Sequence, residues 1–471
     1  MLRVKIDINR EGLDWEKNNM QLRSTKGHDL NLDFEPTENL EIINSKTKIR
    51  LHPADFPGIK PKLLVSEGDI VKKGQPIFFD KKNPDVMFTT FYSGNVIKIV
   101  YGEKRVILSI DIQINNNNDE VAYDYYESGE IKRVDKEKIQ EILCASGLWP
   151  CIRKRPFSKI AVPGPSPKSI FITTESTAPY APRLKVILEN NDIKYLQAGV
   201  DALECLTSAP VHMVIPDNEE YILLNELNGV QIHTFSGPHP AGNVGYHISN
   251  IDPIENKNTI IWYISLQDTI AIGRLILTGR INNQKIISVG GSPFVQDNKH
   301  LLINRGILFS DIFMNNQIPQ EHRIVSGDIL SGKFTKKDNA VGFYHESISL
   351  VKSKFNREFI GWLNPGFTKY SVSKTFISSF LSKRKKIFST AMNGSTRTIL
   401  PIGLIEKMCL LDVLPTMLVK SIISRDIEMM EQLGIYECDP EDFALCSFAD
   451  ASKMDIISIV QEGLNYAEVE G

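Results

Sequence analysis

Cysteine is scarce in this chain of 471 residues. Its six cysteines are Cys144, Cys151, Cys205, Cys409, Cys438 and Cys446, and no two of them form a CxxC pair. That spacing excludes a zinc ribbon and a four-cysteine iron–sulfur motif, and so few thiols make no disulfide scaffold. Reduced thiols in a cytosolic chain are the expectation. Long apolar runs are missing as well. The best stretch, 259–277, is broken by Asp268 and Arg274, so no run of about 18 apolar residues could cross a bilayer as a helix. The opening residues lack the apolar block of a signal peptide. Charge of one sign is not in excess either. With 54 Lys and Arg against 57 Asp and Glu, the net charge is -3, which argues against a nucleic-acid binder that works by neutralising phosphates. No GxSxG, HExxH or P-loop is present, so no catalytic residue and no metal ligand is assigned.

What is there is ordinary globular protein, 42% hydrophobic and 24% charged, long enough for three or four domains. Residues 1–19 read as a poorly ordered extension with a short Val4, Ile6, Ile8 alternation, and Met20 as the start of the compact protein. Residues 20–118 read as a β-domain. Val106, Leu108, Ile110, Ile112 and Ile114 alternate onto one face, and Gly68, Gly74 and Gly94 sit at turns where positive φ is expected. The polar tract 115–119 marks a boundary. Over 119–253, strands from Ser169 and Val211 alternate with helices over 136–143, 183–190 and 201–206, which predicts a parallel sheet. Over 254–372 the pattern returns to β, with strand-and-turn segments from Asn258, Ala271, Lys285 and His322. Over 373–471 it turns helical. Asp412 can cap a helix to about Leu433, closed by Gly434; Asp439-Pro440-Glu441-Asp442 is a helix start; Ser452 can cap a last helix through Leu464.

Four constellations could carry chemistry. Gly237, Gly242 and Gly245 lie at a βα junction where a phosphate could sit, but Pro238 and Pro240 remove donors, and a rigid turn is the plainer reading. His233, His239 and His247 could hold a metal, though their spacing fits no ligand pattern, and the strand-like stretch at Tyr246 makes His247 a satisfied polar residue. Lys81 and Lys82 occupy a hairpin tip like that of a lipoyl or biotinyl lysine, without the flanking methionines, and read as solvated turn residues. Last, the basic run Lys383, Arg384, Lys385 and Lys386 lies between Phe376, Phe380 and Phe388. Phe376 with Phe380, and Ile377 with Leu381, are spaced by four. A helix would put them on one face, with the charges docking on anionic headgroups or an acidic partner.

Several strings resemble one family in order from about residue 24 to Gly471: Asp55-FPGIKPKLLV, Ser146-GLWP, Arg155-PFSK, Gly237-PHPAGNVGYHI, Gln267-DTIAIGRL, Glu358-FIGW and Glu441-DFALC. They resemble the A subunit of the Na+-translocating NADH:quinone reductase (Na+-NQR), a family related to the C subunit of the Rnf complex and to the flavin-binding subunit of respiratory complex I. The resemblance implies a lipoyl-like β-domain, a Rossmann-like αβ domain, a β-grasp (SLBB-like) domain and a helical C-terminal region. In those relatives a glycine-rich loop after Ser-Gly-Leu cradles flavin phosphate, and a CxxCxxC run holds an iron–sulfur cluster. Here Trp149 and Pro150 replace the glycines, and Cys446 stands without sequence neighbours. The expectation is therefore a chain that binds no flavin or iron–sulfur centre tightly, while other subunits of the six-subunit complex carry them. The resemblance further implies a peripheral subunit on the cytoplasmic face of the bacterial inner membrane. Its partners would be membrane-embedded subunits and ubiquinone, in a complex that oxidises NADH, reduces ubiquinone and exports Na+. The rival readings are a scaffold with no ligand, and a lipoylated or flavin-carrying enzyme.

Overall fold

The computed structural model describes residues 19–471 except 116, 118, 292–297, 315–317, 319–320, 354–362, 364, 368, 380–384 and 386. The expected extension 1–19 lies outside the described residues but for Asn19.

A seven-stranded sheet forms the centre. Its order is Gln21–Arg23, Gln231–Ser236, Val211–Pro216, Ile170–Thr173, Ile261–Ser265, Arg153–Arg155 and Lys159–Ile160. The first five run parallel, and Arg153–Arg155 pairs antiparallel to Ile261–Ser265. Alternate side chains feed two cores, as the period of two demands. Ile170, Ile172, Met213 and Ile264 face helices Lys136–Ser146, Ile193–Leu206 and Leu266–Thr278. Phe171, Val214, Phe235 and Tyr263 face helix Val244–Ile251 and the C-terminal helices. Helices Ile193–Leu206 and Leu266–Thr278 touch backbone to backbone at two glycines. A Cβ on Gly273 would lie 1.8 Å from the Tyr195 carbonyl oxygen, and one on Gly199 2.1 Å from that of Thr269.

Two small sheets precede it. One is ordered Lys48–Leu51, Ile107–Ile114, Gly94–Tyr101, Ile70–Val71; the other Pro61–Leu63, Pro76–Asp80, Asn83–Thr89. Ile49, Ile77, Phe78, Val86, Phe88, Ile110 and Ile112 fill the space between them. A six-stranded sheet follows, ordered Lys333–Thr335, His322–Ser326, Ser347–Lys352, Gln284–Gly290, His300–Asn304, Leu40–Ile43. Five helices close the chain: Leu404–Met408, Pro415–Ser424, Ile427–Gln432, Ala444–Ala449 and Ile456–Glu470.

The structure corrects several expectations. Gln21–Arg23 pairs into the central sheet and Leu40–Ile43 into the six-stranded one, so two short strands of 20–118 join sheets outside the two small ones. A strand with an apolar face can join any sheet edge that buries it, and sequence proximity does not choose. Ile261–Ser265 and the helix after it belong with the central sheet, so sheet membership carries the αβ unit past 253. Residues 271–278, read as strand, are helical. Ser265 caps that helix by accepting the Asp268 N–H at 3.2 Å, and Gly279 ends it with φ +64. The helix is apolar nearly all round because it lies between sheet and helix, which erases the amphipathic period. Tyr246 and His247 are also helical, in Val244–Ile251.

In the C-terminal region, the helix expected from Asp412 to Leu433 is two helices. Arg425 breaks it with φ +55, Leu414 precedes the first and Asp426 caps the second. Asp455, not Ser452, caps the last helix; the Ser452 hydroxyl instead donates to the Thr398 carbonyl at 2.9 Å. Among the described residues the first α-helix after 373 begins at Leu404. In the first small sheet, the face expected for five residues holds only at Ile110, Ile112 and, half-buried, Ile114. Val106 and Leu108 are exposed because a register shift between Val100 and Tyr101 turns Ile107 inward instead. Gly68 and Gly74 have φ +95 and +83, but Gly94 lacks a positive φ and is small because a Cβ would lie 2.1 Å from the Gln113 carbonyl oxygen.

Candidate functional site

Two polar sites meet at Gly147, which ends helix Lys136–Ser146 with φ +75. On one side the chain tightens into the turn Trp149–Cys151. Trp149 is fully buried; its ring lies edge-on to Trp262 at 5.7 Å and its N–H donates to the Ala161 carbonyl at 2.8 Å. The strand Arg153–Arg155 then presents two arginines. The Arg153 guanidinium lies between the Tyr263 and Tyr344 rings, 5.0 and 4.8 Å from their centres. Arg155, fully buried, donates to Asp442 and Glu441 at 2.7 Å each, clasping the C-terminal region onto the central sheet. Ser158 donates to Asp439, and Tyr344 to the Pro150 carbonyl at 2.7 Å. Partial burial of its side chain, which is 37% exposed, and then the nearby Asp439 push the Glu441 carboxyl up to about 7. Behind the turn, Asp268 pairs with Arg305, and Lys285 with Glu346 at 3.3 Å. Burial and then Asp268 push the Cys151 thiol up to about 12, so it is no nucleophile at neutral pH.

On the other side of Gly147 a small cleft, about 30 Å³, opens between the small sheets and the six-stranded sheet. Phe56, Phe88, Phe91 and Phe343 line it, with Arg50, His52 and Asp55. Phe56 centres the rings, 4.5 Å from Phe88 and 4.8 Å from Phe343. Gly147 and Gly306 also line it, both with positive φ; a Cβ on Gly306 would lie 2.9 Å from the Phe91 ring. Arg50 is held by Asp111 at 2.5 and 2.8 Å and donates to the Asp338 carbonyl at 2.8 Å. Asp55 accepts the Phe343 N–H at 2.9 Å through Oδ2, while Oδ1 has no protein partner among the described residues. Burial pushes the Asp55 carboxyl up. A flat apolar ring with a hydrogen-bonding oxygen suits such walls. Asp55 and Phe343 are 288 positions apart, and no sequence signal joins them.

The residues singled out from sequence lie in separate settings where they are among the described residues. Phe376 packs at Gly366 with Lys369 over its ring at 5.7 Å, and Ile377–Ser379 is a 3-10 turn. Phe380, Leu381, Lys383, Arg384 and Lys386 lie outside the described residues. Lys385 pairs with Glu35 at 2.9 Å. Phe388 turns inward, 4.9 Å from the Tyr370 ring and 5.8 Å from that of Phe448. The three histidines separate: His233 bonds to His212 at 3.0 Å, His239 to Thr177 at 3.1 Å and His247 to the Ala241 carbonyl at 2.9 Å. Among the described residues no group of three or more His, Cys, Asp or Glu is placed to hold a metal. Cys446 is not alone: Cys409 lies beside it and is the first cause of its raised thiol pKa, followed by burial. Lys82 sits at its hairpin tip and donates to the Gly58 carbonyl at 2.7 Å.

Fold and site define a mixed α/β multidomain protein with helices at its C-terminus, in which no helix among the described residues is long and apolar enough to cross a membrane. A family model described as the NqrA N-terminal barrel-sandwich hybrid domain matches residues 22–115, and one described as the NqrA second alpha/beta domain matches 134–281. The A subunit of the Na(+)-translocating NADH-quinone reductase of Tolumonas auensis is 35% identical over 447 residues, 95% of this chain and 99% of its own. That of Neisseria meningitidis serogroup A is 37% identical over 428 residues, 90% of this chain and 94% of its own. The chain belongs to this family, the A subunits of the Na+-translocating NADH-quinone reductase, an oxidoreductase complex. Among solved structures, an NAD+-reducing [NiFe]-hydrogenase covers 48% of this chain and 49% of its own at 11% identity and TM-score 0.34, too slight a likeness to carry an assignment.

Proposed function

We propose that this chain is the peripheral A subunit of a membrane complex that oxidises NADH, reduces ubiquinone and exports Na+, and that the cleft beside Asp55 receives the quinone ring. In this reading it sits on the cytoplasmic face, held by membrane-embedded partner subunits that carry the flavins and iron–sulfur centres. Its parts are lipoyl-like, Rossmann-like, β-grasp and helical, as in the C subunit of Rnf and the flavin-binding subunit of complex I. The buried Trp149 supports the absence of flavin here: it fills the space a phosphate-cradling glycine would leave, and Pro150 offers no N–H donor. The observation that carries the quinone assignment is the aromatic cleft with one half-satisfied carboxyl. A carboxyl with a raised pKa can donate to a quinone carbonyl when protonated and accept from a quinol hydroxyl when ionised.

The test is a titration of the purified chain with a short-chain ubiquinone, followed by saturation-transfer NMR. Phe343→Ala and Asp55→Asn should each weaken binding about tenfold, or ~1.4 kcal/mol, in protein whose fold is confirmed by circular dichroism. Wild-type affinity in both variants would remove the ring from this cleft. The same preparation should be colourless; stoichiometric flavin absorbance would overturn the cofactor reading.

A further inference from the structure

Two exposed segments flank the cleft and share an unusual chemistry. The first is the hairpin tip 101–108, closed by the Gly102 N–H donating to the Val106 carbonyl at 2.8 Å. Tyr101, Val106 and Leu108 are 52%, 57% and 45% exposed there. Lys104 and Arg105 have φ of 53 and 59, left-handed values that side chains avoid, so the turn holds two cations out at its apex under strain. The second is 333–339, where Phe334 is 61% exposed beneath Arg323, 5.3 Å from its ring centre. Lys333, Lys336 and Lys337 are exposed beside it.

Across both segments there are five cations (Lys104, Arg105, Lys333, Lys336, Lys337) and two acids (Glu103, Asp338), a net +3 on a chain of net charge -3. None of the five is in an ion pair among the described residues. The segments are tied together through the cleft wall. His52 Nδ1 bonds to the Leu108 carbonyl at 3.0 Å and Nε2 to Asn339 at 2.5 Å, while Arg50 reaches the Asp338 carbonyl.

We propose that these two segments form one surface that seats the protein on a membrane bearing anionic headgroups. Unpaired cations are drawn to such headgroups within a Debye length, and the aromatic and aliphatic side chains between them gain by entering the interfacial zone. A nucleic-acid backbone offers the charge but nothing to bury Val106, Leu108 and Phe334. The seat places the Asp55 cleft beside the lipid, from which an apolar ring would enter. The inference rests on the membrane setting proposed above, but vesicle binding is measured without quinone, so each can fail by itself.

The experiment is flotation of the full chain with vesicles of pure phosphatidylcholine, or with about 30% phosphatidylglycerol, at low salt and at about 0.5 M salt. The expected result is at least about tenfold tighter binding to the anionic vesicles, lost at high salt. The combined Lys104→Gln, Arg105→Gln, Lys336→Gln, Lys337→Gln variant should lose at least about tenfold, and Val106→Ser with Leu108→Ser severalfold with the salt dependence kept. Quinone titration of the quadruple variant in vesicle-free solution should match wild type. Equal retention on both vesicles, or an unaffected quadruple variant, would overturn the proposal; the wild-type arms decide even if a variant misfolds. Binding to a soluble RNA as tight as to vesicles, and indifferent to Val106→Ser with Leu108→Ser, would also overturn it, by making the surface a general polyanion site.

Discussion

Gly147 divides two sites that use the same materials in opposite ways. Both combine arginine, carboxylate and aromatic rings, and both join segments far apart in the chain. On the Trp149 side bulky rings and paired charges are packed against one another. The indole is fully buried, Arg153 is stacked between two tyrosines, and Arg155 has two acids from 286 and 287 positions away. On the Asp55 side, glycines stand where side chains would close the wall, and the carboxyl keeps an oxygen without a protein partner among the described residues. Packing density is a choice made residue by residue: a bulky side chain at a crossing turns a potential pocket into core, and a glycine does the reverse.

The sharpest way to break this comparison is to empty the filled side. Trp149→Ala should cost about 3–5 kcal/mol in denaturant unfolding, with no flavin binding gained, because Pro150 still lacks a donor. A loss under about 1 kcal/mol would mean that the turn is not tightly packed. Next, Arg155→Ala leaves Asp442 buried without its cation. The expected loss is about 3 kcal/mol, at the low end for a broken buried pair because Glu441 is 37% exposed. It should release the C-terminal region first, seen as faster proteolysis around 439–443. Unchanged proteolysis would show that apolar packing alone holds that region.

A smaller effect follows from acid. Burial pushes His212, His233 and His247 down to about 4, with His212 adding to the effect on His233, and His233 to that on His247. The unfolded chain protonates such groups near the ordinary histidine value of about 6.5, whereas the folded protein protonates them only near 4. Stability from these groups is therefore full above about pH 6.5 and lost as pH falls toward 4. Glu441 works the other way, since its raised pKa favours the folded state as pH drops below about 7. Melting temperatures should still fall between pH 6.5 and 4.5, and a flat profile would show that the histidines do not stay neutral. The smallest effect is expected at the hairpin tip. Lys81→Ala and Lys82→Ala should each change stability by under about 0.5 kcal/mol, despite the bond from Lys82 to Gly58. A loss of activity in Lys82→Ala without loss of fold would revive a carrier-lysine role.

Much of the local structure was legible. Helix Lys136–Ser146, strands Ile170–Thr173 and Val211–Pro216, and the start at Asp439 follow from caps and periodicity. The reading failed where burial on all sides hid the period, as in Leu266–Thr278, and where one left-handed residue, Arg425, split a helix without a glycine to announce it. The cleft was least legible. The basic run at 383–386, most of which lies outside the described residues, stands out as charge, while the cleft is made from an ordinary aspartate, scattered phenylalanines and two glycines.

The sequence by itself determined the features that depend on a few adjacent residues. These include the glycine turns at Gly68 and Gly74, the caps at Asp439 and Gly434, and the bulk of Trp149 after Gly147. Each is settled by local φ/ψ preference, a hydrogen bond over a few positions, or side-chain volume. Only the tertiary structure decided that Gln21–Arg23 and Leu40–Ile43 leave for different sheets, that Arg155 finds Asp442, and that Asp55 meets the Phe343 N–H. An apolar strand face or a buried charge requires a partner but does not specify which one. That choice follows from the joint burial of the whole chain, a sum over contacts that no local pattern contains.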